Sequence, residues 1–146
     1  MKITAIRSSL FGAVAVAILA SSAPSWADDT VNVSLTGDGG DKMAMTLDKA
    51  SVKTGKITFN VKNDAAMTEH EMVVIKLKHA TDKLPMIAGQ DRVDEDKLKS
   101  MGEVSELKPG TQGKLAVKLP AGNYVLICNV KGHYMAGMFS PFTVTK

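Results

Sequence analysis

The sequence predicts an all-β domain, a Greek-key β-sandwich or barrel with one short helical insertion. Three observations predict it. Short runs of alternating apolar and polar residues recur along the chain, and β-branched and aromatic residues gather in those runs. Clusters of Gly, Pro, Asn and Asp separate them. Alternation with a period of two is the signature of a strand with one buried face. Six or more such runs need two packed sheets or a closed barrel to cover their apolar sides.

The elements follow in order. "VNVSLTG" (31–37) alternates, as does "KITFNVK" (56–62), where Ile57, Phe59 and Val61 share a face. "HEMVVIKL" (70–77) is expected to turn Val73, Ile75 and Leu77 inward, with Val74 and Lys76 opposite. "DRVDEDKLKSMG" (91–102) opens with acids, continues with lysines and ends on glycine, which is how a short helix is written. Strands then follow at "KLAVKL" (114–119), "NYVLIC" (123–128) and "FSPFTVTK" (139–146). "KPGTQGK" and "LPAGNY" are turns, proline setting φ and glycine supplying freedom beside it. No repeat or second linker interrupts the pattern, so one domain is expected.

Residues 1–27 are predicted to be an export signal. Lys2 and Arg7 form a positive start, Leu10 to Ala20 an apolar run, and Ser25-Trp26-Ala27 a small-x-small cleavage site. The apolar run is shorter than the roughly 20 residues a membrane span needs. Cleavage after Ala27 would leave a periplasmic domain, residues 28–146, without a membrane span. The signal carries two of the 18 basic residues and none of the 15 acidic ones, so the mature charge is 16 minus 15, or +1. With no basic arm or aromatic-interleaved basic patch, nucleic acid is not an expected partner. A domain of this size can bury most of its surface without disulfides, and a monomer is expected.

The chain has a single cysteine, which in an oxidising compartment is either a buried small hydrophobe or a ligand. Its neighbours decide. "CNVKGHYMAGM" (128–138) crowds Cys128, His133, Met135 and Met138 into eleven residues. In "YVLIC", Tyr124, Leu126 and Cys128 point to one face, which places Cys128 at the last rung of a core strand. The loop after it, with Gly132 and Gly137, can fold back so that His133 and Met138 face the sulfur. Cysteine and histidine alone would equally suit zinc. A thiolate, two imidazoles and a weak axial thioether instead make a trigonal blue-copper site. The second imidazole is assigned to His70, at the mouth of a strand after a polar loop. His79, at the far end of that strand, is read as solvated surface. Met138 is preferred to Met135 as the thioether, because Gly137 lets the loop curl back immediately before the final strand.

"NDAAMTEHEMVVI" together with "GNYVLICNVKGHYMAGMF" resembles the cupredoxins of the plastocyanin/azurin superfamily, and the C-x4-H-x4-M spacing resembles most that of rusticyanin and sulfocyanin. The likeness spans residues 30–146. It implies an eight-stranded Greek-key sandwich holding one type 1 copper ion, with His70, Cys128 and His133 equatorial and Met138 axial. It also implies that backbone N–H groups such as those of Glu71 and Val130 donate to the cysteine sulfur, and such donors tune a metal. Two positions depart from the pattern. Lys131 stands where many relatives have proline, which implies a less rigid loop. Glu71 stands where many have Asn or Ser tying the two ligand loops together, and its charge would lower the redox potential.

The function implied is a non-enzymatic, exported electron carrier cycling between Cu(II) and Cu(I). Its redox partners would dock near His133, on a patch of Met67, Met86, Met135 and Ala136 rimmed by Lys83 and Lys131. The alternative is a periplasmic copper-tolerance protein that binds, buffers or delivers copper; the start "DDTVNVSLTGDGG" lacks the His- or Met-rich tail that sequestration would use. An enzyme is disfavoured, because three histidines are too few to build further copper sites.

Overall fold

The computed structural model describes residues 27–39 and 42–146. Strand β1 (Ala27–Thr36) pairs with β2 (Ala44–Leu47) on one side and β4 (Gly55–Asn63) on the other, and β9 (Gln112–Leu119) joins β4. The second sheet runs β3 (Ser51–Lys53), β11 (Phe139–Thr145), β10 (Gly122–Ile127), β5 (His70–Leu77), β8 (Lys99–Leu107). A small hairpin, β6 (Met86–Ile87) with β7 (Arg92–Val93), lies between β5 and β8 in sequence. The predicted all-β sandwich is observed. The expected signal lies outside the described residues, apart from Ala27, whose backbone opens β1.

The core sits between the sheets, and alternation builds it. In β4, Ile57, Phe59 and Val61 are buried while Lys56 and Lys62 are exposed. Val31, Val33 and Leu35 from β1 join them, facing Met72 and Val74 of β5, Leu126 of β10 and Phe142 of β11. Phe59 and Phe142 meet edge to face across the core, their centroids 5.4 Å apart, a preferred aromatic geometry. Each such fully buried side chain contributes about 1.5–3 kcal/mol. Tyr124 ends this core, its hydroxyl donating to the Pro120 carbonyl at 2.6 Å.

Two sequence expectations are corrected here. In β5 it is Met72 and Val74 that face the inter-sheet core, while Val73 and Ile75 face a second cluster with Leu84, Val93, Val125 and Ile127. Segment 78–98 folds over the outer face of the sheet and supplies that cluster. The strand is therefore buried on both sides, and "MVVI" reads as a continuous apolar run.

The predicted helix over 91–102 is realised as one 3-10 turn, Glu95–Lys97, after which Leu98 is extended (φ −120°, ψ 164°). Residues 99–107 pair instead with β5. The β5 edge offers a ladder of hydrogen bonds, and tertiary pairing overrides local helix preference. Gly102, expected to end the helix, lies in β8 under Leu115, whose Cδ1 would sit 3.0 Å from an added Cβ. β8 also closes the sandwich against β9, where any Cβ on Gly113 would collide with Val104 Cγ1.

Candidate metal centre

His70 opens β5 at the end of a polar loop, and that loop is held from both sides. Asn63, fully buried, donates through Nδ2 to the carbonyls of Thr68 and Leu107, both at 2.8 Å, and accepts the Ala65 N–H at 2.9 Å. The Asp38 carboxylate accepts the N–H groups of Ala66, Met67 and Thr68 at 3.1, 2.6 and 3.0 Å. These bonds, that from Met67 first, hold the Asp38 carboxyl below its ordinary range. The imidazole is oriented by a further contact, Nε2 lying 2.9 Å from the Gly37 carbonyl. A carbonyl only accepts, so Nε2 carries the proton and Nδ1 is left with a free lone pair. Gly37 has φ +107°, and a Cβ there would lie 2.6 Å from the Lys42 carbonyl oxygen, so glycine is required for this approach.

Cys128 directly follows β10, and the chain then turns through 129–138. His133 N–H donates to Val130 O, Ala136 N–H to Gly132 O, Gly137 N–H to Tyr134 O and Met138 N–H to His133 O. Cys128 N–H closes the turn on Met138 O at 3.0 Å, and Gly132 N–H reaches out to Asp91 O at 2.9 Å. The turn is thus braced by several backbone bonds with Lys131 in the proline position.

Three donors converge. His70 Nδ1 lies 3.2 Å from His133 Nδ1; Cys128 Sγ lies 3.9 Å from the former and 3.4 Å from the latter. Among the described residues this is the one group of three His, Cys, Asp or Glu side chains placed to hold a metal ion, and all three are buried. A trigonal ion with bonds of about 2.05 Å to nitrogen and 2.3 Å to sulfur separates its donors by about 3.5–3.8 Å. The observed triangle fits that size. Met138 is fully buried in the same cluster as Cys128, whereas Met135 is 66% exposed. His79 is on the surface, with Nδ1 3.2 Å from Asp82.

Burial favours neutral imidazoles and a protonated thiol at this site. Burial lowers the pKa of both histidines, and for His133 the neighbouring His70 adds to it. Burial pushes the Cys128 thiol up to about 11, opposed by backbone N–H groups of Glu71 and Val130 directed at the sulfur. The Glu71 N–H lies 3.4 Å from Sγ, so the donor pair implied by the sequence resemblance is observed. A coordinating metal removes a thiol proton outright.

Glu71 also replaces the expected Asn or Ser in its tying role. It lies at a register shift between His70 and Met72 in the β5–β8 ladder, and such bulges re-aim side chains. Its Oε1 accepts the N–H of Asn129 at 3.0 Å, bonding the His70 strand to the residue after Cys128. Burial, then the charge of Glu95, raises its pKa. Asn129 extends the tie: its side chain accepts Val93 N–H at 2.6 Å and donates to Val93 O at 3.0 Å and Glu95 Oε1 at 2.7 Å. Arg92 Nε donates to Asn129 O at 2.9 Å. The sequence reading missed Asn63, Asp38 and Asn129. Only Asn63 had a local signal, an Asn-Asp start to a polar loop.

The expected docking residues separate. Met67 is 79% exposed on the loop before His70, and Met135 lies on the turn that carries His133. Lys83, expected at the same rim, instead lies beside Lys76, Gly122 and Asn123, at the far end of β5 and β10. The reason is the course of segment 78–98, which starts at that far end.

A four- and a five-stranded sheet facing one another, with a buried His–Cys–His triangle at one end, make this a β-sandwich of metalloprotein type. Its fold is the cupredoxin fold, and comparison with solved structures bears this out. Auracyanin from Roseiflexus castenholzii matches with a TM-score of 0.54 at 20% identity, covering 82% of this chain and 97% of that one. Auracyanin A from Chloroflexus aurantiacus, described as a "blue" copper protein, gives 0.56 at 18% identity over 82% and 100%. Rusticyanin from Thiobacillus ferrooxidans gives 0.57 at 17% identity over 80% and 77%. No protein-family model and no curated protein matches the chain by sequence.

Proposed function

We propose that the chain is an exported blue-copper protein that carries single electrons between redox partners, with His70, Cys128 and His133 as equatorial ligands and Met138 as the axial one. The observation that carries this reading is the buried triangle of one cysteine sulfur and two imidazole Nδ1 atoms. Copper bound there would supply a one-electron Cu(II)/Cu(I) couple, thiolate and thioether favouring Cu(I) and imidazole also supporting Cu(II). The chain's own part is to hold the donors in one arrangement. Gly37 orients His70, Glu71 ties the strand to the turn, and the turn's backbone bonds fix His133. The likeness to auracyanin A supports the choice of metal. His133, 8% exposed while His70 is fully buried, is the ligand nearer the surface, and exposed Met67 and Met135 support a partner face around it.

The test is a visible spectrum after adding Cu(II) to the purified protein. An intense thiolate-to-copper charge-transfer band is expected, lost in Cys128→Ser with the β fold retained. Stoichiometric Cu(II) binding without colour would refute the blue-copper reading. Export is tested by mass: protein recovered from the periplasm should begin at Asp28 and, lacking Trp26, show no tryptophan emission.

A further inference from the structure

The end of the sandwich away from the metal donors carries unbalanced charge. β5 and β8 pair antiparallel, with His70 beside Leu107 at one end and Lys76 beside Lys99 at the other. Six residues along a strand put Lys76 about 20 Å from His70. Lys76, Lys78, Lys83, Lys97 and Lys99 line one groove of about 1000 Å³. Leu77, Leu84 and Leu98 lend it apolar lining.

The acids nearby leave most of these lysines uncompensated. Asp82, the carboxylate in the lining, accepts the N–H groups of Lys78 and His79 at 3.0 and 2.8 Å and so turns back on its own loop. Lys97 pairs with Asp94 at 2.6 Å. Among the described residues, Lys76, Lys78, Lys83 and Lys99 have no carboxylate within ion-pair distance. Lys76 and Lys99 are moreover direct cross-strand partners, and like charges so placed oppose folding. An anionic occupant would relieve that repulsion.

We infer that this groove is a docking site for an acidic segment of a partner protein, separate from the face around His133. Its volume lies at the upper end of the range for small-molecule pockets, more than a lone inorganic anion fills. An extended peptide alternates its side chains at a period of two. One alternating acidic and apolar residues would set the apolar ones against the leucines and the carboxylates against the lysines. A partner held here leaves the metal edge free and raises its own local concentration there. The groove does not depend on the metal, so its test stands apart from the copper reading.

A capped hexapeptide alternating glutamate and leucine is titrated into the ¹⁵N-labelled full protein at low salt, with and without copper. Amide shifts should be confined to residues 76–78, 83–84, 97–99 and 121–123, and binding should weaken as salt is added. The double variant Lys83→Glu/Lys99→Glu should bind about tenfold more weakly or worse. Lys99→Glu alone should raise the melting temperature, because it converts a like-charged pair to an opposite one. Lys99→Glu should also bind more weakly than the wild type, and a variant that folds better and binds worse rules out misfolding as the cause. The inference is overturned by shifts around His133 instead, by undiminished binding in the double variant, or by equal binding of a glutamine–leucine peptide. Stronger binding to phosphatidylglycerol vesicles than to the peptide, or a lower melting temperature for Lys99→Glu, overturns it too.

Discussion

Met135 and Met138 follow the same histidine, yet one points to solvent and the other to the core. Met135 sits within the backbone-bonded turn and is 66% exposed. Met138 ends the turn, exchanging backbone bonds with His133 and Cys128, and is fully buried. A thioether donates weakly to Cu(II), so replacing it with an alkyl group favours Cu(I). Met138→Leu should therefore raise the reduction potential of the copper-loaded protein while keeping its colour, and Met135→Leu should leave the potential nearly unchanged. Cyclic voltammetry distinguishes them; the opposite result would make Met135 the axial ligand.

Among the elements, the segment between β5 and β8 does more than connect. It covers the outer face of the second sheet and, through β7, grips the residue after Cys128. Asn129→Ala would leave the buried N–H and C=O of Val93 without partners, at a cost of about 2–3 kcal/mol. Chemical denaturation should show that loss, and copper uptake should slow as the turn loosens. At the other side of the sandwich, Gly113 lets β9 pass against β8. Gly113→Ala must push Val104 from its place, and overpacking of this kind costs about 1–3 kcal/mol. An unchanged denaturation midpoint in Gly113→Ala would mean that the two strands separate freely.

For the molecule as a whole, stability should be bounded at both ends of the pH scale. Burial raises the Tyr124 pKa above 10, so the unfolded chain loses this proton first. Its contribution is complete below about pH 10 and is lost as pH rises through the folded-state value. Hydrogen bonds and ion pairs lower the pKa of Asp38, Asp64 and Asp82. Their contribution is complete above about pH 4 and is lost as pH falls through the lowered values. Thermal melts across pH should show both limbs, and Tyr124→Phe should remove part of the alkaline one. If Tyr124→Phe melts with an unchanged alkaline limb, another group controls it.

The sequence alone dictates the alternation that makes strands and the crowding of Cys128, His133 and Met138 within one turn, because both depend on neighbours in the chain. From these the sandwich was legible, as were three of the four candidate donors. Tertiary structure decided what depends on distant partners. Segment 99–107 became a strand because the β5 edge lay open to it, and β5 was buried on both faces because segment 78–98 folded over it. Asp38 and Asn129 look like ordinary loop residues until they meet backbone groups some 30 positions away. His70 reaches Cys128 across 58 residues, and only the packing of two strands makes them neighbours. Local preferences are worth tenths of a kcal/mol per residue, less than a paired edge or a buried face, so where the two disagreed the packing prevailed.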